Sequence, residues 1–228
     1  MIEALGGLEK FDKIPYLVFT FTVEKDGAVV ASRKHYWDKR NGRHRLEGGT
    51  KEGKRYVVLT DLRTQKGTAY LAGTKVEGDA ARDYLLSAYN LWINDSYWLA
   101  MPFKVKDPGV ILKDAGSEEV GGIKYDKIQV SFDGVGLTPR DVYWAYINPD
   151  NGRMERWSFV LGGEKKTPTM AEWKGWRQHL GVWLSDEKAV EEVSQRILFP
   201  DLSAPPILPE TIFTSPDIVM PGEIPAEK

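Results

Sequence analysis

Residues 16–23 read YLVFTFTV. Leu17, Phe19, Phe21 and Val23 alternate with Val18, Thr20 and Thr22, so a period of two puts four large apolar side chains on one face. This is the pattern of a half-buried strand, and the chain on its C-terminal side continues it. Lys25-Asp26-Gly27 supplies turn chemistry, residues 28–37 form a second β-rich run, and Asn41-Gly42 turns the chain into a third over 43–47. Gly48-Gly49 leads to residues 55–61, where Tyr56, Val57, Val58 and Leu59 favour a strand, and Lys66-Gly67 returns the chain through 68–71. Successive hairpins of this kind predict an antiparallel meander of five short strands.

The period then changes. Thr74 and Glu77 have capping-box spacing, and Ala81, Tyr84, Leu85, Ala88, Leu91 and Trp92 recur on one helical face. Asn94-Asp95-Ser96 reads as a break, Ser96 as the cap of a further short turn through Leu99, and Pro102 as its end, which gives a helix and a half lying over the sheet. Strands resume at 110–113 and 122–132, where Ile128, Val130 and Phe132 share a face opposite Tyr125, Lys127, Gln129 and Ser131. Residues 141–147 and 154–161 flank Asn148-Pro149-Asp150-Asn151-Gly152, a hairpin loop by composition. Further strands are expected at 169–179, 181–185 and 190–198, with Trp173 and Trp176 out of phase across a bulge.

Past Phe199 the prolines crowd: Pro200, Pro205, Pro206, Pro209, Pro216, Pro221 and Pro225. Regular pairing does not survive there. Ile207, Leu208, Ile212, Phe213, Ile218 and Val219 predict a tail partly draped on the body, with the last few residues mobile. The organisation expected is one domain over 1–199 and a Pro-rich tail over 200–228. A length of 228 residues suits a single large β domain, which runs to roughly 200–250 residues.

Composition narrows the function. Hydrophobic residues make up 42% and charged residues 28%, with eight Trp, ten Tyr and eight Phe, so the chain has a substantial core or an aromatic-lined cavity. A net charge of −2 offers no basic field for phosphate, which argues against nucleic acid as a partner. With no Cys there are no disulfides, thiolate metal sites or cysteine nucleophiles, and the cytosol and the periplasm are both compatible. No stretch has the roughly 18–20 apolar residues of a membrane span, and the N-terminus lacks the basic and apolar regions of a signal peptide in this numbering.

Chemical motifs are sparse. His35, His44 and His179 are not spaced as metal ligands, although a strand pair can bring His35 near His44; no metal and no cofactor is expected. Neither G-x-S-x-G nor S-x-x-K occurs. Gly134-Val135-Gly136 is a turn rather than a phosphate loop, since Pro139 follows and no helix starts there. Asn94-Asp95-Ser96 matches a glycosylation triplet but sits at the expected helix break. The informative stretch is 92–103, WINDSYWLAMPF, where large apolar side chains stand among helix breakers, as in a lid or in a plug between helix and sheet.

Several phrases together resemble a family of bacterial secreted proteins in the LolA-like superfamily of lipoprotein and lipid carriers. They are His35-Tyr36-Trp37-Asp38, residues 42–45 (GRHR), 94–98 (NDSYW), 101–104 (MPFK) and 107–109 (DPG), followed by 135–139 (VGLTP), Tyr143-Trp144, Asn148-Pro149, Gly152 and Trp157. The resemblance implies a mainly β (α+β) fold: a curved antiparallel sheet forming an incomplete β-barrel, covered by one long helix and a short helix, with acyl chains received between sheet and helices. On that analogy Leu91, Trp92, Tyr97, Trp98, Met101 and Phe103 form a lid side, and Trp144, Trp157, Phe159 and Trp173 a sheet-side lining. Arg40, Arg43 and Arg45 all lie near the strand that carries a lid-contacting Arg in the carriers, and none is assigned that role.

The function so implied is a non-enzymatic binding module for a lipid, acyl chain or lipoprotein in the periplasm or at the cell surface, with an envelope protein as a further possible partner and peripheral membrane contact at most. A closed-core protein-interaction module using a strand edge or the tail is the alternative. An enzyme working in a Trp-rich cleft is the third.

Overall fold

The alternation that begins at Tyr16 produces sheet along most of the chain. The computed structural model describes residues 1–163 and 167–225. Residues 226–228, where mobility is expected, lie outside the described residues, as does part of the tail proposed over 200–228. The strands are β1 (Tyr16–Lys25), β2 (Ala28–Asp38), β3 (Arg43–Gly49), β4 (Arg55–Asp61), β5 (Lys66–Leu71), β6 (Thr74–Lys75), β7 (Val110–Val120), β8 (Ile123–Phe132), β9 (Val142–Ile147), β10 (Met154–Val160), β11 (Thr169–His179), β12 (Val182–Val190) and β13 (Gln195–Leu198). Among the described residues they form one 13-stranded sheet in the order β6-β5-β4-β3-β2-β1-β13-β12-β11-β10-β9-β8-β7. Its two ends, β6 and β7, are edges, so the sheet is not closed into a barrel. With the short helices α1 (Leu8–Lys13) and α3 (Thr211–Thr214) and the long helix α2 (Gly78–Lys104), the fold is mainly β and antiparallel, as expected.

Several boundaries differ from the sequence reading. Thr74 pairs with Leu71 in β6 instead of capping a helix, and α2 starts at Gly78. Asn94-Asp95-Ser96 does not break α2: Asn94 donates to the Asp95 carboxylate at 2.8 Å, and Asp95 itself has partners on β2, so side chains that would otherwise compete with the helix backbone are occupied. The break falls at Ala100 (φ −127°, ψ 19°), two residues before Pro102, whose ring excludes the normal helical approach of the preceding turn. The expected strands at 181–185 and 190–198 are instead β12, a short 3₁₀ turn over Glu191–Val193, and β13. Pairing of β11 with β12 is interrupted at Gly175, which has φ +62°, and there the Trp173 and Trp176 rings stack with centroids 5.9 Å apart.

The chain divides into two compact units, to each of which β1, β13 and α2 contribute. One comprises residues 12–23, 29–95 and 198–225. Leu46, Val58 and Ala69, neighbours across β3, β4 and β5, pack against Ala88 of α2, with Tyr84, Leu85 and Leu91 alongside. Gly48 leaves room for the Tyr56 ring directly across from it, where any Cβ would collide with that ring. Val18 of β1 and Tyr36 of β2 are covered by Leu208, Ile212 and Phe213 of the tail. That is why β1 is buried on both faces over Leu17, Val18 and Phe19, and not half-buried as its alternation predicts.

The other unit comprises residues 1–11, 24–28 and the described part of 96–197. Its core joins Val130, Tyr143, Ala145, Met154, Trp157, Ala171, Trp173 and Val190 from β8–β12 to Met101 and Val105. Phe103 points elsewhere and stacks on Phe11 of α1 with centroids 4.4 Å apart.

Candidate functional site

In the second unit the last turns of α2 meet the sheet through aromatic rings. Tyr97 lies 5.5 Å from Tyr143 and 6.0 Å from Trp157 between centroids, and Trp98 meets Trp157 edge to face at 4.5 Å and Phe159 at 5.9 Å. Trp157 in turn meets Trp173 at 5.4 Å. Strand register explains the assembly: Trp157 stands opposite Ala145 on one side and Ala171 on the other, and Phe159 stands opposite Tyr143. Small residues flanking Trp157 leave space for its indole. The rings offer a broad apolar surface with polar edges, and several edges have no use inside the protein. Tyr97 Oη and the Nε1 atoms of Trp157, Trp173 and Trp176 are buried with no hydrogen-bond partner among the described residues. Burial pushes the Tyr97 phenol well above its ordinary range, with Tyr143, Asp107 and Asp141 adding to the shift.

Six of the ten residues singled out from sequence therefore come together: Tyr97, Trp98, Met101, Trp157, Phe159 and Trp173. Leu91 and Trp92 belong to the other unit, where Leu91 packs by Ala88 and Trp92 meets Trp37 edge to face at 5.2 Å. Phe103 is turned to Phe11. Trp144 stands between Tyr143 and Ala145 in β9 and so projects from the opposite face, where Lys127 lies 5.6 Å from its ring. Sequence reasoning did not single out Phe132, Tyr143, Trp176 or Lys188. Val182, Leu184, Asp186, Lys188 and Val190 share one parity along β12, so an Asp and a Lys stand together within an otherwise apolar row. Lys188 is fully buried, donates to the Ser185 carbonyl at 2.6 Å and sits 4.4 Å over the Trp173 ring. Burial holds its amine well below the ordinary lysine range, opposed in part by Asp186.

The first unit holds a polar chain beneath α2. Asp95 is fully buried and accepts two hydrogen bonds from Arg33, at 2.5 and 2.6 Å, and one from His35 Nε2 at 2.9 Å. His35 Nδ1 lies 3.0 Å from His44 Nε2, so the expected approach of the two imidazoles is realised. Burial opposes ionisation of Asp95, but the hydrogen bonds and charges of His35 and Arg33 outweigh it and hold the carboxyl below its usual range. An ionised Asp95 fixes the proton of His35 on Nε2, which leaves Nδ1 as acceptor and makes His44 the donor through Nε2. His44 Nδ1 is then a bare lone pair, and neither it nor Thr60 Oγ, its cross-strand neighbour, has a partner among the described residues. Both imidazoles are held below the ordinary histidine range by burial. At His35 the hydrogen bond and charge of Asp95 offset part of this; at His44 the neighbouring His35 adds to it. The chain can hold and relay a proton, yet Asp95, His35 and His44 present essentially no surface to a substrate. Among the described residues no group of three or more His, Cys, Asp or Glu is placed to hold a metal ion. Asp95 was legible as an anomaly, since Ala88, Leu91, Trp92 and Asp95 follow the i, i+3, i+4, i+7 spacing of one helical face.

On the opposite face of the first unit, the fully buried Arg45 donates to the backbone carbonyls of Ile212 (3.1 Å), Ser215 (2.5 Å) and Asp217, and pairs with Glu47 at 2.6 Å. Arg43 reaches Asp38 and Glu210 and lies 4.6 Å over Phe213. Both arginines hold the tail and do not contact a lid; Arg40 offers its carbonyl to Arg63.

No family model matches the sequence, and no curated protein does. Among solved structures the chain is similar to a DUF1329 family protein from Desulfovibrio piger, at 12% identity with a TM-score of 0.51, covering 93% of this chain and 95% of that one. It is also similar to a LolA superfamily protein from Nitrosomonas europaea at 13% identity and TM-score 0.49, covering 94% and 97%. A third is the lipoprotein LppX of Mycobacterium tuberculosis, at 15% identity and TM-score 0.28, covering 71% and 86%. The fold is that of the first of these. No described helix is long and apolar enough to cross a membrane.

Proposed function

We propose that this chain is a non-enzymatic binding module for an apolar ligand, a lipid, acyl chain or lipoprotein, in the bacterial cell envelope. The observation that carries this reading is the aromatic cluster of Tyr97, Trp98, Tyr143, Trp157, Phe159 and Trp173, built from sheet on one side and from α2 around its break at Ala100 on the other. A helix whose backbone is already interrupted at the contact can shift its last turns without melting the rest. Rings that part then exchange contact with one another for contact with hydrocarbon, at about 0.8 kcal/mol per CH₂ taken from water. No cofactor is required. The likeness in fold to the DUF1329 protein supports the architecture and not the ligand.

Gentle purification, extraction with organic solvent and mass spectrometry of the extract test the reading. A stoichiometric acyl or lipid species is the expected result. An empty extract, together with no rise in melting temperature on adding fatty acids or phospholipids, would overturn it.

A protein-interaction module is the second reading, and edge strand β7 favours it. Val110–Val120 is exposed along almost its whole length, including Ile111 and Leu112, and its outer edge has no partner strand among the described residues.

A further inference from the structure

The tail beyond Ser203 is held to the first unit largely by its main chain. Tyr36, Arg45, Leu59 and Thr68 are cross-strand neighbours in β2, β3, β4 and β5, and make a strip that the tail crosses. Arg45, already paired with Glu47, gives further N–H groups to the carbonyls of Ile212, Ser215 and Asp217. The tail's own N–H groups at Ile212, Phe213 and Ser215 are satisfied inside the tail, by the carbonyls of Pro209, Glu210 and Thr211. Such a site asks a segment for carbonyls and not for N–H groups, so it accepts proline, and the tail brings Pro209 and Pro216 to it. Side chains enter through Leu208, Ile212 and Phe213, with Glu210 on Arg43 at 2.5 Å. A cover that served only to seal Val18 and Tyr36 has no use for a fully buried guanidinium, whose desolvation is costly.

The tail also fits its strip incompletely. Ile207, Ile218 and Met220 stay exposed. An open cleft of about 380 Å³ lies beside Phe213 and Thr214, walled by Arg43, Leu59, Thr68 and Tyr70. A second, of about 340 Å³, shares Tyr70 and lies beside Pro216 and Ile218.

We propose that this strip is a docking site for an extended, proline-containing segment of another protein, and that the chain's own tail occupies it in cis. The partner segment carries a carboxylate at the position of Glu210, apolar anchors two and three residues further on, and a side chain bulkier than Thr214 facing the first cleft. A second copy of this chain is the poorer occupant, since its tail has the same sequence and leaves the same space. The tether holds the cis tail at an effective concentration on the order of millimolar, so it screens the site from weak segments and yields to a better-fitting one. The inference stands apart from the apolar-ligand reading, which concerns residues of the other unit.

The test uses the full chain. It has no Cys, so Met220→Cys, at an exposed position, gives one dye site whose anisotropy falls when the tail lets go. Synthetic peptides spanning residues 205–219 are titrated in: the native sequence, the same with Thr214→Trp, and the same with Phe213→Asp. The native peptide is expected to displace the tail only at concentrations on the order of millimolar. Thr214→Trp should do so at concentrations about tenfold lower, the worth of burying a large side chain in the cleft, and Phe213→Asp not at all. In a chain carrying Arg45→Met, a labelled Thr214→Trp peptide should no longer bind. Failure of the Thr214→Trp peptide to displace the tail at a few times that millimolar level, or equal potency of the native and Thr214→Trp peptides, would overturn the proposal. So would a concentration-dependent dimer in light scattering that Phe213→Asp in the chain dissolves, because the occupant would then be a second copy. Should Arg45→Met fail to fold, the peptide series on the chain with its native Arg45 still decides.

Discussion

His35 and His44 are neutral imidazoles, each with a single ring proton, in the folded protein at neutral pH, and acid acts against the fold through them. Both are essentially without exposure, and burial lowers both below the ordinary 6.5. In the unfolded chain each titrates near that ordinary value. A depressed imidazole pKa means that the unfolded state binds the proton first. The stabilisation is therefore fully present above 6.5 and is lost as pH falls below it. Each proton bound only by the unfolded chain changes stability by about 1.4 kcal/mol per pH unit, so the pair gives a slope approaching about 2.7 kcal/mol per unit below about pH 6. Asp95 works in the same direction further down: its folded pKa is depressed, so its contribution is present above its unfolded value and lost as pH falls through the folded one. Urea midpoints measured in half-unit steps from about pH 7.5 to 4.5, for the native protein and for His35→Gln/His44→Gln, read this slope. Glutamine keeps a donor and an acceptor at both positions without titrating, so the double variant should lose most of the pH dependence in that window. Equal slopes in the two proteins would refute the reasoning.

Asp95→Ala should cost about 3–5 kcal/mol, because it strands Arg33 and His35 without their anion, whereas the simultaneous change Asp95→Leu/Arg33→Met should cost far less; thermal melts of the three proteins check the difference. Arg45→Met removes the donor for the Ile212, Ser215 and Asp217 carbonyls, so limited proteolysis should cut near 207–217 while hydrogen exchange in β9–β12 stays unchanged.

Much of the sheet was legible because period-two alternation and turn residues are local signals. β1–β5, β8, β9 and β10 fall close to their expected bounds. The misreadings share a cause, which is that a local preference was overruled by a partner distant in sequence. Asn94-Asp95-Ser96 reads as a break until Arg33 and His35 are known to hold Asp95. Val18 reads as the wet face of β1 until Leu208 and Phe213 cover it. The aromatic cluster was found as a composition, but which rings share it depends on strand parity; Trp144, one position off, faces the other way. Asp95 was visible as a polar residue in an apolar row, a signal that calls for a partner without naming it.

The tail's grip has a consequence for biosynthesis. Arg45 meets Ile212, Ser215 and Asp217 across 167 to 172 positions of sequence, and Val18 exchanges both backbone hydrogen bonds with Ser203. Translation at about 5–20 residues per second leaves roughly 8–35 s between the emergence of Arg45 and that of its last partner, Asp217. For that interval a buried guanidinium and the apolar patch of Val18 and Tyr36 stay uncovered on the nascent chain. A ribosome that stops short of residues 204–217 would release a protein with most of its strands and an open wound on one face, the kind of surface that chaperones hold and proteases select.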